Sequence, residues 1–313
     1  MSGGVDISLA FFVTWLAGSV RLGGPLLLAA TGEIYAERAG VVNVGIEGTI
    51  LLGALASFLA SLLTGSAWPG LPAALAVGVL SNLFLAWLYV TVQANQVVVG
   101  ITFNLLATGL TSYLYRALLG TGAQPTSVAM LPDLNVPALS ALPVAGPILF
   151  AQPLMLYVTL AIAAAASWLL FRRRFGLNLR AVGESPKAAA AAGIPVARMR
   201  YIGVMASGAG AGLAGAYLML CQIGLFRDTI VSGHGFIALA IVILGRWRPS
   251  LACVAAFGFG AADALPISLQ MLNLPVPPQV FLALPYVLTA LAMSGVLGKV
   301  AQPAALMARY DRE

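Results

Sequence analysis

Charge is what this 313-residue sequence has least of: 8% of its residues are Asp, Glu, Lys or Arg, against about a quarter in ordinary soluble domains. That scarcity excludes a water-soluble fold of this length, and 60% hydrophobic residues with a mean hydropathy of +0.96 point to lipid instead. Histidine is nearly absent. The single residue, His234, cannot assemble a histidine metal site or a multi-histidine relay and fits a polar position at the end of a span. The two cysteines, Cys221 and Cys253, both sit in apolar runs, so they read as small buried hydrophobes rather than a disulfide or metal framework. No phosphate-binding loop is present: Gly298-Lys299 is followed by Val300 and lacks the upstream glycine that such a loop needs. The ten acidic residues are too scattered for a paired-acid metal motif. The opening MSGGVDISLAFF has no basic n-region and no small-residue cleavage site, so no removable signal peptide is expected.

What the chain has is a succession of apolar runs about twenty residues long, without the alternation that marks strands of a barrel. This predicts an all-α, polytopic membrane protein forming a single transmembrane unit over residues 1–313. A first span runs from about Ile7 to Ala30, interrupted by Arg21 and by a break at Gly23-Gly24-Pro25. Residues 31–48 crowd Glu33, Glu37, Arg38 and Glu47 among glycines, and irregular backbone at membrane depth survives only when packed in protein or lining a wet cavity. That segment is therefore a short turn or a broken, re-entrant helix facing a pathway. Further spans are expected at about 44–64, 70–92, 97–119, 148–171, 201–224, 231–245, 250–272 and 279–298, about nine in all.

One stretch cannot live in lipid. Residues 172–200 carry Arg172, Arg173, Arg174, Arg180, Lys187, Arg198 and Arg200 against the single acid Glu184. Burying one such cation at a bilayer centre costs roughly 2.5–3.5 kcal/mol on insertion scales, and loops rich in them stay cytoplasmic. Counting spans outward from this loop puts the Arg246–Arg248 turn and the tail with Lys299, Arg309 and Arg312 on the same side. The proline-rich segment 120–147, which holds Asp133 and no basic residue, falls outside. The N-terminus is then outside and the C-terminus cytoplasmic. The net charge of +6 and pI near 9.6 follow from this asymmetry rather than from nucleic-acid binding. The flanking groups of four spans have opposite orientation, which allows an inverted repeat.

Within the loop, Ser185 suits an N-cap, Pro186 the first helical position, and the alanines 188–192 the helix itself; Gly193 offers a left-handed cap and Pro195 a stop. One exposed helix of about two turns is expected, serving either as a solvated orienting loop or as a dock for a cytoplasmic partner. Elsewhere, Gly210-Ala-Gly212-Leu-Ala-Gly215 matches GxGxxG but follows no strand. Its small-xxx-small pairs, Gly208/Gly212 and Ala211/Gly215, instead suit close helix approach in a membrane. Asp263 lies inside a span, where an acid is either functional or paired with a neighbouring helix's donor. Asn43, Glu47 and Asn104 lie in or beside spans and either join helices or line a pathway. The i, i+4 spacing of Asn43 and Glu47 favours a shared face.

Three ordered segments carry a resemblance. GEIYAERAGVVNVGIEGTILLGA at 32–54, GLNLRAVGESPKAAAAAGIPVARMR at 176–200 and GHGFIALAIVILGRWRP at 233–249 resemble the permease subunits of bacterial ABC importers for nucleosides and simple sugars, which group with ribose and branched-chain amino acid permeases. The resemblance spans almost the whole chain. It implies a multi-pass protein of the bacterial inner membrane, paired with a second homologous permease, and an extracytoplasmic substrate-binding protein. It also implies a cytoplasmic ATPase that holds the ATP-Mg, with no cofactor on this chain. By position it implies that Glu184, Ser185, Pro186, Lys187, Ala189 and Gly193 form the coupling helix that docks on the ATPase, and that the 43–48 segment belongs to the translocation pathway. This chain departs from the importers' usual pattern in that Ser185, Pro186 and Lys187 separate the acid from the alanines. Two other classes remain open on the residues: an ion-coupled carrier using Asp263 or Glu47, and a membrane-embedded transferase.

Overall fold

A computed structural model describes residues 3–120, 126–135, 137, 139–140, 142–269, 283–294 and 302–310. Seven helices in it are long and apolar enough to cross a membrane. In chain order the helices are α1 (Gly3–Arg38), α2 (Ile46–Thr64), α3 (Gly70–Ala86), α4 (Gln96–Leu119), α5 (Leu154–Arg172), α6 (Arg174–Glu184), α7 (Pro186–Ala191), α8 (Val196–Tyr217), α9 (His234–Leu244), α10 (Pro249–Leu269) and α11 (Leu284–Met293). Helices α3 and α8 each continue into a π-helical turn, Trp87–Thr91 and Leu218–Ile223. The segment expected to span 231–245 yields the 11-residue α9, about 16 Å long, half of a hydrocarbon core about 30 Å thick. The expected span 279–298 is described only over Ala283, α11 and Ser294. Lys299, Gly298 and Arg312 lie outside the described residues, as do Met1, Ser2 and, within the 120–147 segment, residues 121–125, 136, 138 and 141.

The first span does not break where glycine and proline predicted. Helix α1 runs unbroken through Pro25 for 36 residues. Its glycines serve packing: a Cβ on Gly24 would sit 2.6 Å from the Tyr217 hydroxyl, and one on Gly23 2.7 Å from the Phe257 ring. Neighbouring helices stabilise a proline-containing membrane helix that would kink alone. Buried Glu33 and Glu37 consequently lie within α1, and the chain reverses only over residues 39–45.

Helix α8 is the hub, contacting α1, α2 and α3. A Cβ on Gly212 would meet the Ala74 carbonyl at 2.4 Å, and one on Gly208 the Gly78 carbonyl at 2.3 Å. The small-xxx-small spacing therefore puts α8 and α3 in backbone contact. Such contact is the main source of attraction between helices in lipid, where apolar burial against acyl chains gives little.

The two ends of the bundle differ. At one end a short antiparallel ribbon pairs Asp133–Asn135 with Ala151–Pro153. Arg21 there lies 3.3 Å from Asp133, and Arg116 3.7 Å from Asp228. The opposite end gathers α6, α7, the 245–248 turn and residues 302–310. Arg38 donates to the Trp247 and Arg246 carbonyls at 3.2 and 3.3 Å, while the Trp247 indole donates to Glu37. Those bonds hold Arg246 and Trp247 in left-handed backbone conformation, at φ 52° and 54°.

Candidate functional site

Helix α2 starts inside the bundle, so its incoming backbone has to find partners away from water. The partners are side chains. Glu33 accepts from the Asn43 amide at 2.8 Å and from the Ser207 hydroxyl at 2.6 Å. The Asn43 side-chain amide donates to Asn82 at 2.6 Å and Ser207 at 3.0 Å, and Asn82 donates onward to Thr49 at 2.8 Å. Gln96 accepts from the Val42 amide at 2.9 Å. This layer ties α1, α2, α3 and α8 together around the 39–45 turn. Asn43 is fully buried in it. Because Asn43 precedes the first residue of α2, the expected shared helical face with Glu47 does not exist.

Two helix starts are capped from outside their own sequence. Gly45, at the N-cap of α2, has no side chain to offer. Asn104 of α4 takes its place, accepting from the Gly48 amide at 2.8 Å and donating to the Val44 carbonyl at 2.9 Å. Glu47, the second residue of α2, then caps α9: its two carboxylate oxygens accept from the Gly233 and Gly235 amides at 2.7 and 2.6 Å. A Cβ on Gly235 would fall 2.6 Å from the Glu47 nitrogen, so the two helix starts touch. Both ends carry partial positive charge, and a carboxylate between them is the favourable counter-charge. Glu47 and Asn104 are partly exposed.

Beside this junction lies a second polar group. His234 Nε2 is 4.0 Å from Asp263 Oδ2, and the Tyr286 hydroxyl donates to the Ser232 carbonyl at 2.7 Å. Asp263 thus faces the neighbouring helix's imidazole, and His234 opens the half-length helix instead of ending a full span.

At the basic end, α7 has the expected local signals. Ser185 accepts from the Ala188 amide at 3.4 Å, Pro186 opens the helix, and Gly193 takes φ +79°. It is not the only helix in the loop, since α6 occupies Arg174–Glu184. Glu184 closes α6, 3.9 Å from Arg38, and accepts from the Ala304 amide at 3.3 Å. Ala189 is buried against Val182 and Val196, whereas Lys187, Ala188, Ala191, Ala192 and Gly193 are exposed. Residues 302–310 cross this end as a strap: Met307 donates to the Gly40 carbonyl, Ala305 to that of Gly183, and Arg200 to that of Ala308.

Asn82, Ser207, Thr49 and Tyr89, all near or in the buried layer, were not singled out from the sequence. A lone amide or hydroxyl inside an apolar run is itself a signal, because an unpaired one is costly in lipid. What the sequence does not give is the partner.

Set against known proteins, residues 15–293 match the model of a family described as the branched-chain amino acid transport system / permease component. The guanosine ABC transporter permease protein NupQ of Bacillus subtilis is 40% identical over 293 residues, covering 90% of this chain and 91% of that protein. The nucleoside ABC transporter permease protein NupC of Lactococcus lactis subsp. cremoris is 34% identical, with 90% and 91% covered. Among solved structures, an ABC transporter in an inward-facing conformation superposes with a TM-score of 0.51 at 18% identity, over 90% of this chain and 84% of that one, a likeness of fold.

Proposed function

The chain belongs to the branched-chain amino acid transport system permease component family, and on that premise we propose that it is the membrane-spanning subunit of an ATP-driven importer carrying a nucleoside or a simple sugar. The relatives named above are permeases of ABC transporters for guanosine and nucleosides. A permease in such an assembly hydrolyses nothing itself and needs a mechanical connection to an ATPase. The observation that carries the reading is α7: a capped, exposed helix at the basic end, with α6 packed between it and α1. By the positive-inside rule the basic end is cytoplasmic.

In this reading the exposed face of α7, with Lys187, Ala188, Ala191 and Ala192, sits in a groove of the ATPase. Movement passes through Ala189 and Val196 to α8, and through Glu184 and Arg38 to α1. Those two helices hold Ser207 and Glu33 in the buried layer, so tilting one against the other works directly on the start of α2. Substrate passes along the partly exposed side of that start, past Glu47 and Asn104, with Asn43 in the layer behind them. The contacts are weak, because a conduit that must release its cargo on every cycle gains nothing from tight binding. High affinity resides in an extracytoplasmic binding protein, and a second, related permease completes the pathway.

The test is affinity capture of the tagged protein from its native membrane, followed by reconstitution with what comes with it. Co-purification of an ATPase and a second permease, with ATP-dependent uptake of labelled guanosine or glucose, is expected. Uptake that proceeds with no ATPase present would overturn the reading in favour of an ion-coupled carrier.

A further inference from the structure

We propose that the groove between α5 and α10 at the basic end holds one anionic phospholipid, its acyl chain along α5 and its phosphate beside Arg172 and Arg248. The groove encloses about 580 Å³. Its α5 wall sets the small residues Ala163, Ala164 and Ser167 between the larger Leu160, Trp168 and Phe171, and it runs from Leu160 to Arg172, a helical rise of about 18 Å. That is the shape of an acyl chain rather than of a soluble anion, which would need no apolar channel behind its binding point.

Charge at the mouth selects the head group. The Phe171 ring is ringed by three guanidinium groups, Arg180 at 4.9 Å and Arg38 and Arg248 each at 6.0 Å. Arg173 stacks over Trp168 at 4.0 Å, an aromatic of the kind that marks a membrane interface. Glu184 lies 3.9 Å from Arg38, and Glu37 accepts from the Trp247 indole. Arg172 and Arg248 are exposed, and among the described residues neither has a carboxylate within salt-bridge distance. Helix α10 begins at Pro249, in the mouth of the groove, so its positive end adds to the attraction for phosphate. Basic pockets between membrane helices are the recognised setting for anionic lipid head groups.

The full-length protein, purified in detergent, would be titrated with phosphatidylglycerol, phosphatidylcholine or glycerol phosphate and the retained molecules counted by native mass spectrometry. One phosphatidylglycerol per chain is expected, with little phosphatidylcholine and no glycerol phosphate, and retention that falls as salt is raised. The R172Q/R248Q double variant should retain it roughly 30-fold less well, from the typical attraction of two arginines. Ser167→Trp, which fills the groove and leaves every charge in place, should also lose it. Equal retention of the two lipids by the wild-type chain overturns the proposal whether or not either variant folds. So does binding of glycerol phosphate as tight as that of the lipid, which would make the cluster a plain anion site. Loss of ATPase association in R172Q/R248Q with lipid retention unchanged would assign the arginines to a protein partner and likewise overturn it.

Discussion

Glu47→Ala tests whether a side chain of α2 holds the start of α9. In the structure this carboxylate accepts two amides, from Gly233 at 2.7 Å and Gly235 at 2.6 Å. Hydrogen bonds to charged groups contribute about 1.5–3 kcal/mol each in water-soluble proteins. Between membrane helices the measured average is nearer 0.6, with a maximum around 1.7. The membrane values apply here, and the upper part of their range is appropriate because the bonds are short and two-pronged, giving about 2–3 kcal/mol for the pair. Removing the carboxylate also leaves two helix starts facing each other without their counter-charge. The cost is local, so the assay should be local: amide hydrogen exchange along 233–244 in the purified protein. A loss of 2 kcal/mol raises exchange governed by opening of α9 by roughly 30-fold, with α3 and α8 unchanged. Glu47→Gln keeps one acceptor but turns an amide N–H toward the other, so its effect should fall between those of wild type and Glu47→Ala. Unchanged exchange over 233–244 in Glu47→Ala would refute the capping role, and a transport defect on that background would make Glu47 a substrate contact instead.

Other outcomes follow from the same geometry. Gly212→Leu drives a side chain into the Ala74 carbonyl, whose distance from the first added carbon is 2.4 Å. It should abolish recovery of monodisperse protein by size exclusion, and normal yield would mean that α8 and α3 are not in backbone contact. Asn82→Leu removes the acceptor of one Asn43 side-chain N–H and the donor to the Thr49 hydroxyl, leaving Asn43 its bond to Ser207 and Thr49 its bond to the Gly45 carbonyl, and should cost about 1–3 kcal/mol, seen as a lower midpoint in thermal unfolding. On α7, Ala191→Trp alters an exposed position and should leave folding intact while separating ATP hydrolysis from uptake in the reconstituted importer. Ala189→Trp overfills the buried contact with Val182 and Val196 and should destabilise by about 1–3 kcal/mol. Equal thermal midpoints for the two tryptophan variants would contradict the observed burial.

What was legible in the sequence was local or periodic. Ser185, Pro186 and Gly193 define α7 because capping is decided within a few residues. The small residues on α8 announced close packing because their spacing is the helix's own. Helix α6 was missed because its arginines read as loop, although Phe175, Leu179 and Val182 recur at helical spacing. The caps of α2 and α9 were out of reach for a different reason: Asn104 and Glu47 act on helices far along the chain. The glycines of α1 misled because Gly23-Gly24-Pro25 has the same letters whether it breaks a helix or admits Phe257 and Tyr217 beside one. Asn43, Glu47 and Asn104 were found as residues, but which of them faces a partner helix and which faces open space depends on contacts that spacing does not contain.

The strap formed by residues 302–310 has a consequence for biosynthesis. Met307 and Ala305 bond to the Gly40 and Gly183 carbonyls, so these two bonds to the turn that positions α2 and to α6 form only after more than 260 further residues have followed Gly40 out of the ribosome. At about 5–20 residues per second that interval is on the order of tens of seconds, during which α1 to α5 sit in the bilayer with these two bonds unmade. An insertion intermediate stalled before the strap would therefore expose its unfinished turn to quality-control proteases, and tags fused close to Tyr310 act on that latch.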